Sequence, residues 1–83
     1  MSAYGLAGKP LTDREMEILV GIAEGRSDVA IASELFISPA TVKGHIGRIK
    51  EKLGATSRPN MVAIAYHRLI LHVPEDAGTG AAT

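Results

Sequence analysis

The chain contains no cysteine, which excludes a disulfide framework, a thiolate metal site and a thiol nucleophile. No apolar run approaches the roughly 20 residues that a helical membrane span requires. The opening, MSAYGLAGKP, lacks the apolar segment of a secretory signal. These absences fit a reducing cytoplasm. Side chains that do chemistry are present but not grouped. His67 and His72 are five residues apart, which does not place them on one helical face, and no carboxylate cluster joins them to form a metal site. Gly44 and Gly47 fall inside a helical pattern, without the strand that precedes a phosphate-binding loop. No serine sits in a recognisable hydrolase motif with a histidine and an aspartate. Capping and solvation account for Glu15 and Glu17. The expectation is a protein that is not an enzyme, with no cofactor, no metal and no small-molecule ligand. There is no internal repeat, heptad run or strand-like alternation. With 83 residues, the chain makes one domain at most, around a small core.

The formal net charge is zero, but its distribution is uneven. From Met1 to Ile37, Lys9, Arg14 and Arg26 face Asp13, Glu15, Glu17, Glu24, Asp28 and Glu34, a net of −3. From Ser38 to Arg68, Lys43, Arg48, Lys50, Lys52, Arg58 and Arg68 face only Glu51, a net of +5. Segregation of this kind suits a face that binds a polyanion.

What is present is a series of capped helices. The expected spans are about 12–24, 28–35, 39–53 and 58–73, an all-α, four-helix bundle domain over residues 11–73. Residues 1–10 read as a flexible arm and 74–83 as a disordered tail. Thr12 to Glu15 spells a capping box, and Leu11 and Met16 are placed for a hydrophobic staple. In this first helix Met16, Leu19, Val20 and Ala23 can face the core, with Ile18 and Ile22 widening the stripe. Gly25 stops it. Ser27 caps the second helix, where Ile31, Ala32 and Leu35 point inward and Ala30 and Ala32 allow a close neighbour. Phe36 and Ile37 make a short connector. Ser38 then caps the third helix, with Pro39 at the first position. Val42, Ile46, Ile49 and Leu53 form its apolar seam, and Gly54 ends it. A short helix, a tight turn and a second capped helix are a helix-turn-helix arrangement. Ser57 caps the fourth helix, which carries Val62, Ala65, Tyr66, Leu69 and Val73 on one side and Ile64 and Leu71 on the other. A helix that is apolar on both sides calls for a second partner. The expectation is a homodimer through Asn60, Ala63, Ile64, His67 and Leu71.

Three stretches, LTDREMEIL, EGRSDVAIASELFISPATVKGHIGRI and KLGATSR, together resemble the LuxR/NarL-type (GerE-like) DNA-binding domain. Leu11, Thr12, Arg14 and Glu15 match its opening. Gly25, Ile31, Ala32, Leu35 and Ser38 match its helix-turn-helix. Thr41, Val42, Lys43, His45, Ile49, Lys52, Leu53, Ser57 and Arg58 match the remainder. The likeness covers about Leu11 to Val73. Sigma-factor region 4 shares the opening helix and the SxxTVK turn, but His45, the KLGATSR junction and a long fourth helix favour the LuxR type. The resemblance implies a bacterial transcription regulator that binds double-stranded DNA as a dimer, with the fourth helix making the dimer contact. It places the base-reading positions on Lys43, Gly44 and Gly47, two of which have no side chain. Such domains are usually joined to a receiver or ligand domain, for which 83 residues leave no room, so the expectation is a stand-alone domain or else a fragment of a longer regulator.

On a helical wheel, the side of the third helix opposite its seam holds Ala40, Gly44, Gly47 and Glu51. Lys43 and Lys50 flank it on one side, Thr41 and Arg48 on the other. Base contacts are therefore expected from Lys43, Gly44, Gly47 and Arg48. Phosphate contacts are expected from Ser38, Thr41, Lys50, Lys52 and Arg58. His45 is expected at the domain edge. The competing reading is a protein-interaction module that pairs with another regulator or with RNA polymerase. Localisation in the cytoplasm, on the nucleoid, follows from the DNA reading.

Overall fold

The computed structural model describes residues 7–68 and 70–72, and among them there are four helices and no strand. We label these α1 (Asp13–Ala23), α2 (Asp28–Leu35), α3 (Pro39–Leu53) and α4 (Arg58–His67). The all-α expectation holds. Each helix starts on a residue whose side-chain oxygen accepts a free backbone N–H, namely Thr12, Ser27, Ser38 and Ser57. At α1 the capping box closes both ways. Glu15 N donates to Thr12 Oγ1 at 3.1 Å, and Thr12 N donates to Glu15 Oε1 at 2.8 Å.

Helix α3 packs against the other three. Its seam of Val42, Ile46, Ile49 and Leu53 is buried together with Ile18 and Leu19 of α1, Ile31 and Ala32 of α2, and Met61 and Ala65 of α4. In α1 the core residues are Ile18 and Leu19, both fully buried, whereas Val20 turns outward. The close approach of α1 and α2 rests on Gly21, not only on the alanines of α2. A Cβ at Gly21 would stand 2.9 Å from Ile31 Cγ1.

The turn between α2 and α3 has no glycine, and Phe36 takes the left-handed conformation there, with φ +58° and ψ +41°. Its ring is 93% exposed. The conformation lets Ile37 N donate to Ala32 O at 3.0 Å, which closes α2 and redirects the chain into the Ser38 cap.

Helix α4 is shorter than expected. It stops at His67, and Ile70 N and Leu71 N both donate to Ala65 O, at 2.8 and 3.2 Å. This return buries Leu71 on the core, which a straight helix to Val73 would have left outside beside Ile64. Leu71 is therefore a core residue and not part of an outer dimer stripe. Ile64 is half-buried against the same core. Met61, absent from the expected stripe, is the fully buried residue of α4. The described part of the arm is not free, since Gly8 N donates to Lys52 O at 3.1 Å. The tail 74–83, residues 1–6, and Leu69 and Val73 of the expected fourth-helix stripe lie outside the described residues. No helix of the described residues is long and apolar enough to cross a membrane.

Candidate nucleic-acid interface

The interface follows from how α3 is held. Four seam residues, all nearly or fully buried, fix its inner face, so the opposite side has to face outward. There Ala40, Thr41, Lys43, Gly44, Gly47, Arg48 and Glu51 are all exposed. Nothing lies within 4 Å of where a Cβ would stand on Gly44 or Gly47. Neither glycine is thus required by packing, and the middle of the outer face is bare backbone. Thr41, Gly44, His45 and Arg48 line a shallow hollow on this side.

Lys43 and Arg48 stand on the two flanks, and among the described residues neither forms an ion pair. Lys50 is half-buried. At the start of the helix, Ser38 Oγ accepts from Thr41 N at 3.1 Å and lies 2.9 Å from Thr41 Oγ1. Both hydroxyls remain exposed at the positive end of the helix dipole, where an anion is favoured. His45 is half-buried, as expected for an edge position, and its Nδ1 is buried without a hydrogen-bond partner among the described residues.

Lys52 departs from expectation. Its ammonium is 2.6 Å from Glu15 Oε1 and donates to Pro10 O at 3.1 Å. The Lys52 and Glu15 side chains are only 9% and 3% exposed. Turned inward, almost buried and with two of its three N–H donors given to Glu15 and Pro10, Lys52 is not presented to a phosphate. Burial pushes the Glu15 carboxyl up, but the Lys52 ammonium and the bonds from Thr12 outweigh it and hold the group below its ordinary value. Matching a basic motif position does not tell which way the side chain points, and the partner lies 37 residues away in sequence.

Arg58 keeps more of its surface. It pairs with Asp28, the first residue of α2, while its side chain remains 42% exposed. On α4, Ala63 and His67 are exposed and Asn60 is half-buried. Asn60 Oδ1 accepts from Thr56 N at 3.0 Å and so also steadies the start of its own helix. Lys43, Gly44, Gly47, Arg48, Ser38 and Thr41 are all exposed along α3 and its cap, whereas Lys50 and Arg58 are half-buried. The sequence reading missed the left-handed Phe36. A tight turn with no glycine to take the left-handed position was the available signal.

Residues 9–65 match the family model described as bacterial regulatory proteins, luxR family. The chain is 48% identical over 61 residues to the probable transcriptional regulatory protein NarL of Mycobacterium tuberculosis, covering 74% of this chain and 28% of that protein. It is 43% identical over 63 residues to the oxygen regulatory protein NreC of Staphylococcus aureus, covering 76% of this chain and 29% of that protein. The chain thus spans less than a third of the length of these relatives.

Proposed function

The chain belongs to the luxR family of bacterial regulatory proteins, and on that premise we propose that it binds a preferred sequence of double-stranded DNA as a homodimer and so regulates transcription. Helix α3 enters the major groove with Gly44 and Gly47 at its floor. The observation that carries this reading is the outer face of α3, where bare backbone lies between two cations, Lys43 and Arg48, that form no ion pair among the described residues. A floor without side chains lets a helix approach the base edges closely. Lys43 and Arg48 then reach guanine O6 and N7, the acceptors that cations read in the major groove. Ser38, Thr41, Lys50 and Arg58 supply phosphate contacts, which set register and affinity rather than sequence. The exposed side of α4, through Asn60, Ala63 and His67 with Ile64 at its margin, forms the dimer contact.

The test is fluorescence anisotropy against a pool of genomic fragments, followed by selection of the retained sequence and a salt series on it. Affinity is expected to fall steeply as salt rises, because displaced counterions accompany each phosphate contact. Lys43→Ala is expected to cost about 1–3 kcal/mol on the selected sequence and to relax the preference at one base pair. Unchanged affinity and preference in Lys43→Ala would remove α3 from the groove. Analytical ultracentrifugation with and without DNA tests the dimer, and a monomer in both states refutes it.

A further inference from the structure

Arg58 stands at an electrostatically awkward place. It is the first residue of α4, where the helix dipole is positive and a cation is disfavoured. Asp28 answers it from 30 residues earlier in the sequence. A single guanidinium nitrogen, Nη2, lies 2.7 Å from Asp28 Oδ1 and 2.8 Å from Oδ2. The carboxylate is 16% exposed and the Arg58 side chain 42%. Among the described residues Arg58 makes no other side-chain hydrogen bond, so one corner of the guanidinium is held, its other N–H donors have no protein acceptor there, and the side chain keeps part of its surface open to solvent. The Arg58 hydrogen bond holds the Asp28 carboxyl below its ordinary value against the opposing effect of burial, and the charges of Arg58 and of Lys43 add to it. One carboxylate therefore ties the start of α4 to the start of α2, within electrostatic reach of a flank of α3.

We infer that Asp28 is a positioning residue for DNA binding, which holds the Arg58 guanidinium so that its free edge meets a phosphate at a fixed place near Lys43. This rests on the groove reading of α3 given above. Two effects of the carboxylate oppose each other. As a bare negative charge near a polyanion, it should weaken binding by Coulomb repulsion. As a holder, it spares Arg58 the loss of rotamer freedom that a phosphate contact would otherwise impose. The sign of the change on removing it tells which effect is larger, and the direct bond to Arg58 favours the second.

The experiment is anisotropy of the full chain on the selected DNA fragment across a salt series, for wild type, Asp28→Ala, Arg58→Ala and the double variant. Asp28→Ala is expected to weaken binding about three- to tenfold and to lower the slope of log affinity against log salt by about 0.9, the signature of one lost phosphate contact. Arg58→Ala is expected to do the same, and the double variant to bind no more weakly than Arg58→Ala. Melting by circular dichroism identifies any variant that fails to fold, and Asp28→Asn, which keeps the shape and an acceptor oxygen, then takes its place with the same expected direction. Tighter binding by either Asp28 variant overturns the positioning role, as does an unchanged salt slope or a double variant whose losses add. If wild type itself shows no salt-dependent binding, the groove reading fails and the positioning role falls with it. If wild type binds and the Asp28 variants bind equally well, only the positioning role fails.

Discussion

At its C-terminal end α3 is fastened along its inner side. Lys52 is pinned by Glu15 and Pro10, its backbone carbonyl accepts from Gly8, and Leu53 is buried in the core. One to two turns earlier the same helix exposes Gly44 and Gly47 with open space above them. Both regions are rich in groups that could meet DNA, yet only one is available. The locked end fixes the direction of the helix against α1, and the bare middle can then be presented to a partner without bending. Rigidity comes from the place where charge is spent inside the protein. Access comes from the place where side chains are missing.

The most direct way to break this contrast is to unlock the end. Glu15→Ala leaves the Lys52 ammonium buried without its carboxylate and opens the capping box of α1. Breaking a buried pair on one side costs about 3–5 kcal/mol, a large part of the roughly 5–15 kcal/mol that stabilises a small domain. Urea unfolding at neutral pH is the measurement. The double variant Glu15→Gln/Lys52→Met, which removes both charges, is expected to recover much of the loss. A loss below about 1 kcal/mol for Glu15→Ala would mean that the lock carries little of the stability.

Acid should act on the same lock, more gently. Glu15 and Asp28 both have carboxyl groups held below their ordinary values, so the folded state binds protons less readily than the unfolded chain. Their contribution is present above the ordinary carboxylate range and is lost as pH falls through it toward the depressed folded values. The thermal midpoint is expected to be flat near neutrality and to decline below about pH 5. Glu15→Gln should flatten that decline. An unaltered acid slope in this variant would place the sensitivity elsewhere, with Asp28 the next group to substitute.

These residues also mark how far the sequence could be read. The four N-caps, the glycine stops at Gly25 and Gly54 and the seam of α3 were legible because each depends on neighbours within a few residues. The exposed side of α3 followed by elimination once its seam was known. Lys52 was not legible, since its inward turn depends on Glu15 in another helix. Helix α4 misled for a related reason. Apolar on both sides, it gave periodicity no basis for choosing Met61 over Val62 as the buried position. Its end was set by the gain from folding Leu71 back onto the core, with no local stop signal at His67. Phe36 shows the converse, where the demand of the turn for a left-handed residue overrode a side chain that resists it.

The smallest expected effect sharpens the contrast from the open side. Glycine inside a helix costs roughly 1 kcal/mol relative to alanine, because the unfolded chain has more freedom to lose. A methyl group at Gly44 or Gly47 would meet nothing. Gly44→Ala and Gly47→Ala are therefore each expected to stabilise the domain by about 0.5–1 kcal/mol, read as a higher urea midpoint with an unchanged slope. A methyl group at either position would touch neither Glu15 nor Lys52, so the gains are expected to add to those of a variant at Glu15. Affinity for the selected DNA then divides two explanations of the glycines. If stability rises while affinity falls, the bare floor is in contact with the groove, and its cost in helix stability is maintained for binding. If stability rises and affinity holds, the floor stands clear of the bases, and Lys43 and Arg48 carry the readout from the flanks.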